Sequence, residues 1–307
     1  MNHAIGSGAA SATAKSDGAS AVGARYAAPA KLNLFLHVVG RRADGYHLLQ
    51  TAFRFIDYGD ELGFSVRDDG VVRRVTELAG VPAEADLCVR AARLLKYRAR
   101  SRLGVDIELV KRLPMGGGLG GGSSDAATTL IVLNQLWQTG LAHAQLHELA
   151  LELGADVPAF VFGRSTFAEG VGERLVALQL PPAWYLVLVP ETPVSTAEIF
   201  SAPELTRNTN AITIAAFSVG QGRNDLEPVV CRRYPQVARH LEWLRQYGDA
   251  RMTGSGACVF CGFETEAQAQ RVLSELPADM RGFVARGLDL HPLWSDGNQD
   301  SWGVAKW

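Results

Sequence analysis

The chain has 307 residues, 47% of them hydrophobic and 20% charged, with a formal net charge of −2. This composition describes a globular protein long enough for two cores, and its near-neutral charge excludes a sequence-independent attraction to nucleic acid or an anionic membrane surface. No apolar run reaches the roughly 18 residues that a membrane-spanning helix needs, and four cysteines, Cys88, Cys231, Cys258 and Cys261, are too few for a disulfide framework, which favours a reducing cytoplasm.

Residues 1–25 are mostly Ala, Gly and Ser and contain no signal-peptide core, so they read as a disordered tail outside the fold. From Ala30 to Val39 the chain alternates: Leu32, Leu34, Leu36 and Val38 take one face of a strand, and Lys31, Asn33, Phe35 and His37 the other. Arg41 to Gly45 is a polar turn, and Asp57, Asp60 and Glu61 beside Gly59 read as another. The runs Leu62 to Val66 and Val71 to Val75 flank Asp69-Gly70 and predict a hairpin. A helix over Asp86 to Arg98 and a strand over Val105 to Val110 follow.

The next stretch is Pro114-Met115-Gly116-Gly117-Gly118-Leu119-Gly120-Gly121-Gly122-Ser123-Ser124, which runs directly into an apolar-faced helix over Ala126 to Trp137. So much glycine costs backbone entropy, and a chain accepts that cost where its backbone must approach a ligand closely. A loop that delivers the chain to a helix N-terminus, with unpaired N–H groups and the positive end of the dipole, suits a phosphate. Ser123 and Ser124 add hydroxyls, either of which is placed to reach a bound Mg²⁺. The loop is not a Walker A element, since no Lys precedes the Ser.

A second helix, Ala144 to Leu153, stops at Gly154, and Ala155-Asp156-Val157-Pro158 opens another apolar segment. Pro181-Pro182 marks a boundary, dividing the chain into an N-terminal domain over 26–182 and a C-terminal domain over 183–307. Beyond it the pattern predicts strand Trp184 to Val189, helix Gln236 to Tyr247, the loop Met252-Thr253-Gly254-Ser255-Gly256, strand Ala257 to Phe260, helix Glu266 to Leu276 and strand Phe283 to Ala285. Interspersed strands and helices with hairpins make the class α+β. Cys258 and Cys261 fall in an apolar strand that points them to opposite faces, which is wrong for joint metal ligation. His143 and His147 lack the Glu of a zincin motif and read as a solvated helix face. No residue set is read as a resident metal site.

Pro114 to Ser124, with Lys31-Leu32-Asn33-Leu34 before it and Thr253-Gly254-Ser255-Gly256 after it, resembles the three motifs of the GHMP kinase superfamily. Within it, Pro29 to Leu34, Asp44-Gly45-Tyr46-His47, Leu153 to Pro158 and Phe167 to Glu173 are similar to the 4-diphosphocytidyl-2-C-methyl-D-erythritol kinases. The resemblance implies an N-terminal domain like the second domain of ribosomal protein S5, a ferredoxin-like C-terminal domain, and a cleft between them where ATP, with Mg²⁺, meets a small substrate carrying a cytidine diphosphate group. The implied reaction moves the γ-phosphate to that substrate's 2-hydroxyl in the non-mevalonate route to isoprenoid precursors, the alternative being another small-molecule kinase of the homoserine or mevalonate type.

In the same resemblance, Asp156 takes the hydroxyl proton with Lys31 beside it. Asn33 reaches the same pocket, and Tyr46 and Phe200 sandwich the cytosine ring while His47 bonds its edge. Thr196 is a further substrate contact, and Gly254, Ser255 and Gly256 bring main-chain donors. The chain departs from the family at Asp86, where an Asn is usual near the nucleoside: Asp keeps an acceptor and loses the amide donor.

Overall fold

The computed structural model describes residues 24–218 and 220–295. Most of the predicted N-terminal tail, residues 1–23, lies outside the described residues, as does the chain after Ser295; Arg25 already opens the first strand.

Two long strands, β1 (Arg25–Arg41) and β2 (His47–Arg67), form an antiparallel ribbon joined by the turn around Asp44-Gly45. Then come β3 (Val72–Arg74), a single 3₁₀ turn at Ala83–Ala85, α1 (Leu87–Ala99), β4 (Gly104–Val110), α2 (Gly121–Leu136), α3 (His143–Leu153), α4 (Val157–Phe162), β5 (Thr166–Gly170) and β6 (Arg174–Ala177). The remainder comprises β7 (Trp184–Leu188), α5 (Thr196–Ser201), α6 (Ile214–Ser218), α7 (Glu227–Arg233), α8 (Pro235–Arg245), β8 (Arg251–Met252), β9 (Val259–Phe263), α9 (Glu266–Ser274), β10 (Gly282–Leu288) and α10 (Pro292–Ser295). The α+β expectation holds. Among the described residues no helix is long and apolar enough to cross a membrane.

The strands run in the order β3-β4-β2-β10-β7-β9-β8, with β1 and the β5–β6 hairpin pairing along other stretches of β2. Two sequence expectations are corrected here. The hairpin across Asp69-Gly70 does not form: β3 pairs in parallel with β4, because α1 carries the chain over and returns it beside β3. The acidic stretch at Asp57 to Glu61 is no turn but the middle of β2, where an irregularity opposite Pro29 and Ala30 bends the ribbon.

A first core gathers α1 to α4 on the sheet, with α2 at its centre. Every residue from Ser124 to Asn134 is buried, the pattern of a helix packed on all sides rather than along one stripe. A second core joins α5, α7 and α8 to β7, β9 and β8 and takes in Leu36 and Val38 of β1. A third, between them, is built from Ala30, Leu32, Ile56, Leu113, Leu119, Tyr185, Val187, Cys258, Phe260 and Ala285, residues from both ends of the chain. Cys258, just before β9, lies in the third core and Cys261, within β9, in the second, both as free thiols. His143 is not simply solvated: its Nε2 lies 3.0 Å from the Val161 carbonyl and its ring meets Trp294 edge-on.

Candidate active site

Alternation along β1 decides what faces the cleft. Lys31 and Asn33 share one face, as the period of two requires, but Asn33 pairs with Phe53 and Phe35 with Ala52, so Leu34 is an extra residue. This bulge reverses the faces beyond it. Leu36 joins Lys31 and Asn33 in lining the cleft, whereas Phe35 turns into a separate cluster with Ala52, Phe167 and Leu178. The single alternating face read from sequence is therefore broken at Leu34.

The cleft has a volume of about 560 Å³. Its wall includes Pro114 to Ser123, Lys31, Asn33, Asp156, Thr196, Phe200, Gly254 and Ser255. Ser124, Gly256, Tyr46 and His47 do not line it. The Ser124 hydroxyl is buried in α2 without a hydrogen-bond partner, and Gly256 sits behind the loop, its N–H donating to the Thr253 carbonyl at 3.0 Å.

At the head of the cleft the glycine loop ends on Gly120, the N-cap of α2, with no side chain capping the helix. The N–H groups of Gly121, Gly122 and Ser123 have no carbonyl within the helix to bond and stand at the positive end of its dipole. The loop is held from behind. Ala257 and Cys258 donate their N–H groups to the Gly116 and Gly117 carbonyls at 3.2 and 3.1 Å, and the Thr253 hydroxyl donates to the Gly118 carbonyl at 3.2 Å. Gly118 is required: it adopts φ +75°, and a Cβ there would lie 2.2 Å from the Thr253 carbonyl oxygen.

Lys31 lies at the mouth of this loop, its side chain 4% exposed and its Nζ 3.3 Å from Asp156 Oδ2. The same Nζ donates to Asn33 Oδ1 and stands 5.3 Å from the centre of the Phe53 ring. Asn33 in turn donates through Nδ2 to the Thr51 hydroxyl at 2.9 Å, and its main-chain N–H donates to the Thr253 hydroxyl at 2.9 Å. Asp156 precedes α4 but its side chain caps nothing, which leaves the carboxylate to Lys31 and to the cleft. Gly172, whose Cβ would lie 2.4 Å from the Ala155 carbonyl oxygen, allows the β5–β6 turn to close against the residue before Asp156.

Beneath the loop lies a charged group that the sequence reading dismissed. Asp60 is fully buried and accepts from the Arg112 and Leu113 N–H groups at 2.6 and 2.8 Å, and its other oxygen pairs with Lys111 Nζ at 2.5 Å. Lys111 Nζ also lies 3.0 Å from Asp125 Oδ2. Burial pushes the Asp125 carboxyl up to about 7, against the pull of Lys111 and with the repulsion of Asp60. The Lys111 pKa is raised: burial works against the ammonium, and the two carboxylates outweigh it. Lys111 and Asp125 both line the cleft. Only contacts across the sheet reveal this cluster, since Asp60 and Asp125 are 65 residues apart in sequence.

Asp86 is occupied twice. One oxygen caps α1 through the Cys88 and Val89 N–H groups, and the other accepts from Arg74 at 2.5 Å, both side chains being 5% exposed. Around it Leu78, Val81, Ala85, Leu87 and Leu109 give that arm of the cleft an apolar lining.

At the opposite end, Thr196 and Ser255 share a hydrogen bond of 2.6 Å between their hydroxyls. The rings of His47 and Phe200 are 5.0 Å apart at an angle of 36°. Arg207, unnoticed in the sequence, bonds both sides of this pair: Nε donates to His47 Nε2 at 3.1 Å and Nη2 to the Phe200 carbonyl at 2.9 Å. Burial, then the charges of Arg207 and Arg41, hold the His47 pKa below the usual imidazole value. Tyr46 stands 69% exposed on the turn before β2.

Among the described residues no group of three or more His, Cys, Asp or Glu side chains is placed to hold a metal ion. The donor set at the loop, one serine hydroxyl and the carboxylate of Asp156, fits a hard cation that keeps most of its shell from phosphate and water.

Comparison with known proteins covers most of the chain. Family models match over residues 86–164, as the GHMP kinases N terminal domain, and over 204–282, as GHMP kinases C terminal. The chain is 63% identical over 269 residues to the 4-diphosphocytidyl-2-C-methyl-D-erythritol kinase of Nitrosospira multiformis, covering 87% of this chain and 92% of that protein. It is 64% identical to the enzyme of that name from Thiobacillus denitrificans, covering 88% and 97%. A crystal structure of 4-(cytidine 5'-diphospho)-2C-methyl-D-erythritol kinase superposes with a TM-score of 0.75 at 35% identity, over 86% of this chain and 99% of that one. A homoserine kinase from Cytophaga hutchinsonii shares the fold alone, with a TM-score of 0.64 at 17% identity over 87% and 94%. The chain belongs to the 4-diphosphocytidyl-2-C-methyl-D-erythritol kinase family of the GHMP kinases.

Proposed function

We propose that the protein transfers the γ-phosphate of ATP to the 2-hydroxyl of 4-diphosphocytidyl-2-C-methyl-D-erythritol. The observation that carries this is the Lys31–Asp156 pair, 3.3 Å apart at the mouth of an uncapped helix, in a cleft whose lining includes the Phe200 ring, with the His47 imidazole packed against that ring outside the cleft wall. The first-turn N–H groups of α2 receive the phosphates. Asp156 accepts the proton of the attacking alcohol, and Lys31, fixed by Asn33 and Phe53, offsets charge on the transferring group. Asn33, Thr196, Gly254 and Ser255 line the path between phosphate and base, and Tyr46, His47 and Phe200 receive the cytosine. Ser123 and Asp156, which line the cleft, would help hold a Mg²⁺ brought with the nucleotide, and such a cation would neutralise charge on the phosphate oxygens. In this reading the chain divides near Pro181-Pro182, and the cleft lies where the two parts meet.

A phosphate-transfer assay offering the cytidylyl alcohol, homoserine and mevalonate side by side tests the assignment. Turnover of the cytidylyl alcohol alone is expected. Asp156→Asn is expected to retain ATP binding and to lose at least about 100-fold in kcat, the usual worth of a general base; a fully active variant removes Asp156 from that role.

A further inference from the structure

We propose that Arg207 is the residue that fixes the tautomer of His47 and so makes the base site select cytosine over uracil. This rests on the reading of His47 as the contact to the base edge and adds the device that sets its sense.

Arg207 is held by main-chain carbonyls. Its Nη1 donates to the Leu205 carbonyl at 3.0 Å, and its Nη2 to the carbonyls of Phe200 and Ala202 at 2.9 and 2.7 Å. Three main-chain acceptors, one in the last turn of α5 and two in the residues after it, therefore orient the planar guanidinium before His47 is considered. The direction of the remaining Nε–H is then set, and it meets His47 Nε2 at 3.1 Å.

A guanidinium has donors only. His47 Nε2 must accept, so it carries no proton, and in the neutral ring the proton sits on Nδ1. Burial and the neighbouring charges of Arg207 and Arg41 disfavour the imidazolium that would otherwise carry both protons. The ring therefore offers its free edge as a donor and never as an acceptor. Cytosine presents acceptors at N3 and O2. Uracil presents an N–H at N3. An Nδ1–H facing N3 completes a hydrogen bond with the first and sets two donors against each other with the second. Because Arg207 also bonds the Phe200 carbonyl, one side chain keeps the donor and the neighbouring ring in a common frame.

The experiment compares the cytidylyl alcohol with its uridylyl counterpart as substrates of the full chain, and reads the His47 imidazole by nitrogen-15 NMR. The wild-type protein is expected to show His47 protonated on Nδ1 and to prefer the cytidylyl substrate. In Arg207→Met the cytidylyl-to-uridylyl ratio of kcat/KM is expected to fall roughly ten- to hundredfold. That fall should come through KM for the cytidylyl substrate with KM for ATP unchanged, and Arg207→Lys should recover little of it. A wild-type ring protonated on Nε2 overturns the proposal without any variant. So does an Arg207→Met enzyme that loses rate equally with both substrates, since support of the fold alone would do that. His47→Ala separates the two layers. If it abolishes discrimination while Arg207→Met does not, only the role of Arg207 falls; if discrimination survives His47→Ala, the base-edge reading itself falls and takes this proposal with it.

Discussion

Asp60, Lys111 and Asp125 show what a single buried charge does for its neighbours. Among the described residues Lys111 is the only cation paired with both carboxylates, and the Asp60 and Asp125 side chains are 0% and 3% exposed. Removing it leaves Asp60 with only its two main-chain N–H donors and Asp125 with no counter-charge in a low-dielectric site, a change that costs about 3–5 kcal/mol. The pH dependence has a definite sign. Asp125 has a folded pKa of about 7, raised above its unfolded value, so folding favours its protonated form: the stability it contributes is complete in acid and is lost as pH rises through about 7. Lys111→Met should therefore be most destabilising at pH 8 and less so at pH 6, where Asp125 takes up a proton. Urea unfolding at the two pH values measures it, and a deficit that grows on acidification would contradict the account. Lys31 and Asp156 were legible because their neighbours in sequence carry the motif. Asp60 and Arg207 were not, because their partners arrive from other strands and loops, and a lone acid beside Gly59 has the local signature of a turn.

The loop and its helix were plain from their glycines and from the apolar run that follows, yet the sequence did not show what the loop rests on. Gly118 is locked against the Thr253-Gly254 turn from more than a hundred residues away, and the lock works only while Gly118 and Gly254 both lack a Cβ at the contact. Gly118→Ala places a methyl group 2.2 Å from a main-chain oxygen at a φ of +75°, where an L residue is strained. The loop must move. The expected result is a loss of about 1–3 kcal/mol in stability and a KM for ATP raised well beyond that for the alcohol, read by unfolding and steady-state kinetics; equal rises in both constants would show that the loop does not serve the nucleotide. The strand β1 makes the complementary point. Period-two alternation placed Lys31 and Asn33 correctly and failed at Leu34, because a bulge is fixed by pairing with β2 and leaves no mark in the alternating sequence itself.

At the scale of the whole chain the α+β class and many of the elements followed from local patterns, whereas β5, β6 and α5 to α7 were not read and the strand order was not visible, since β10 pairs with β7 on one side and reaches β2 on the other. The end of β10 and the residues after it are fastened to the first half of the chain. Ser165 donates its N–H to the Asp289 carbonyl at 2.9 Å and its hydroxyl to the Leu288 carbonyl at 2.8 Å, and His291 donates its N–H to the Gly163 carbonyl at 2.9 Å. Arg54, its side chain 2% exposed, sits behind this seam with Nη1 3.2 Å from Asp289 Oδ1. Together with the third core, which draws on residues from both ends, this seam is expected to couple the two halves into one cooperative unit. Asp289→Ala deprives a buried guanidinium of its counter-charge. Because Asp289 is itself 44% exposed, the cost should stay near 1–2 kcal/mol rather than that of a fully buried pair. The informative readout is where that cost falls. Native-state hydrogen exchange should show the slowest amides of β4 and of β9 losing protection by the same amount, since both exchange through one global opening. Loss confined to one strand would mean that the halves unfold separately and that the cleft between them is held by contacts weaker than this seam.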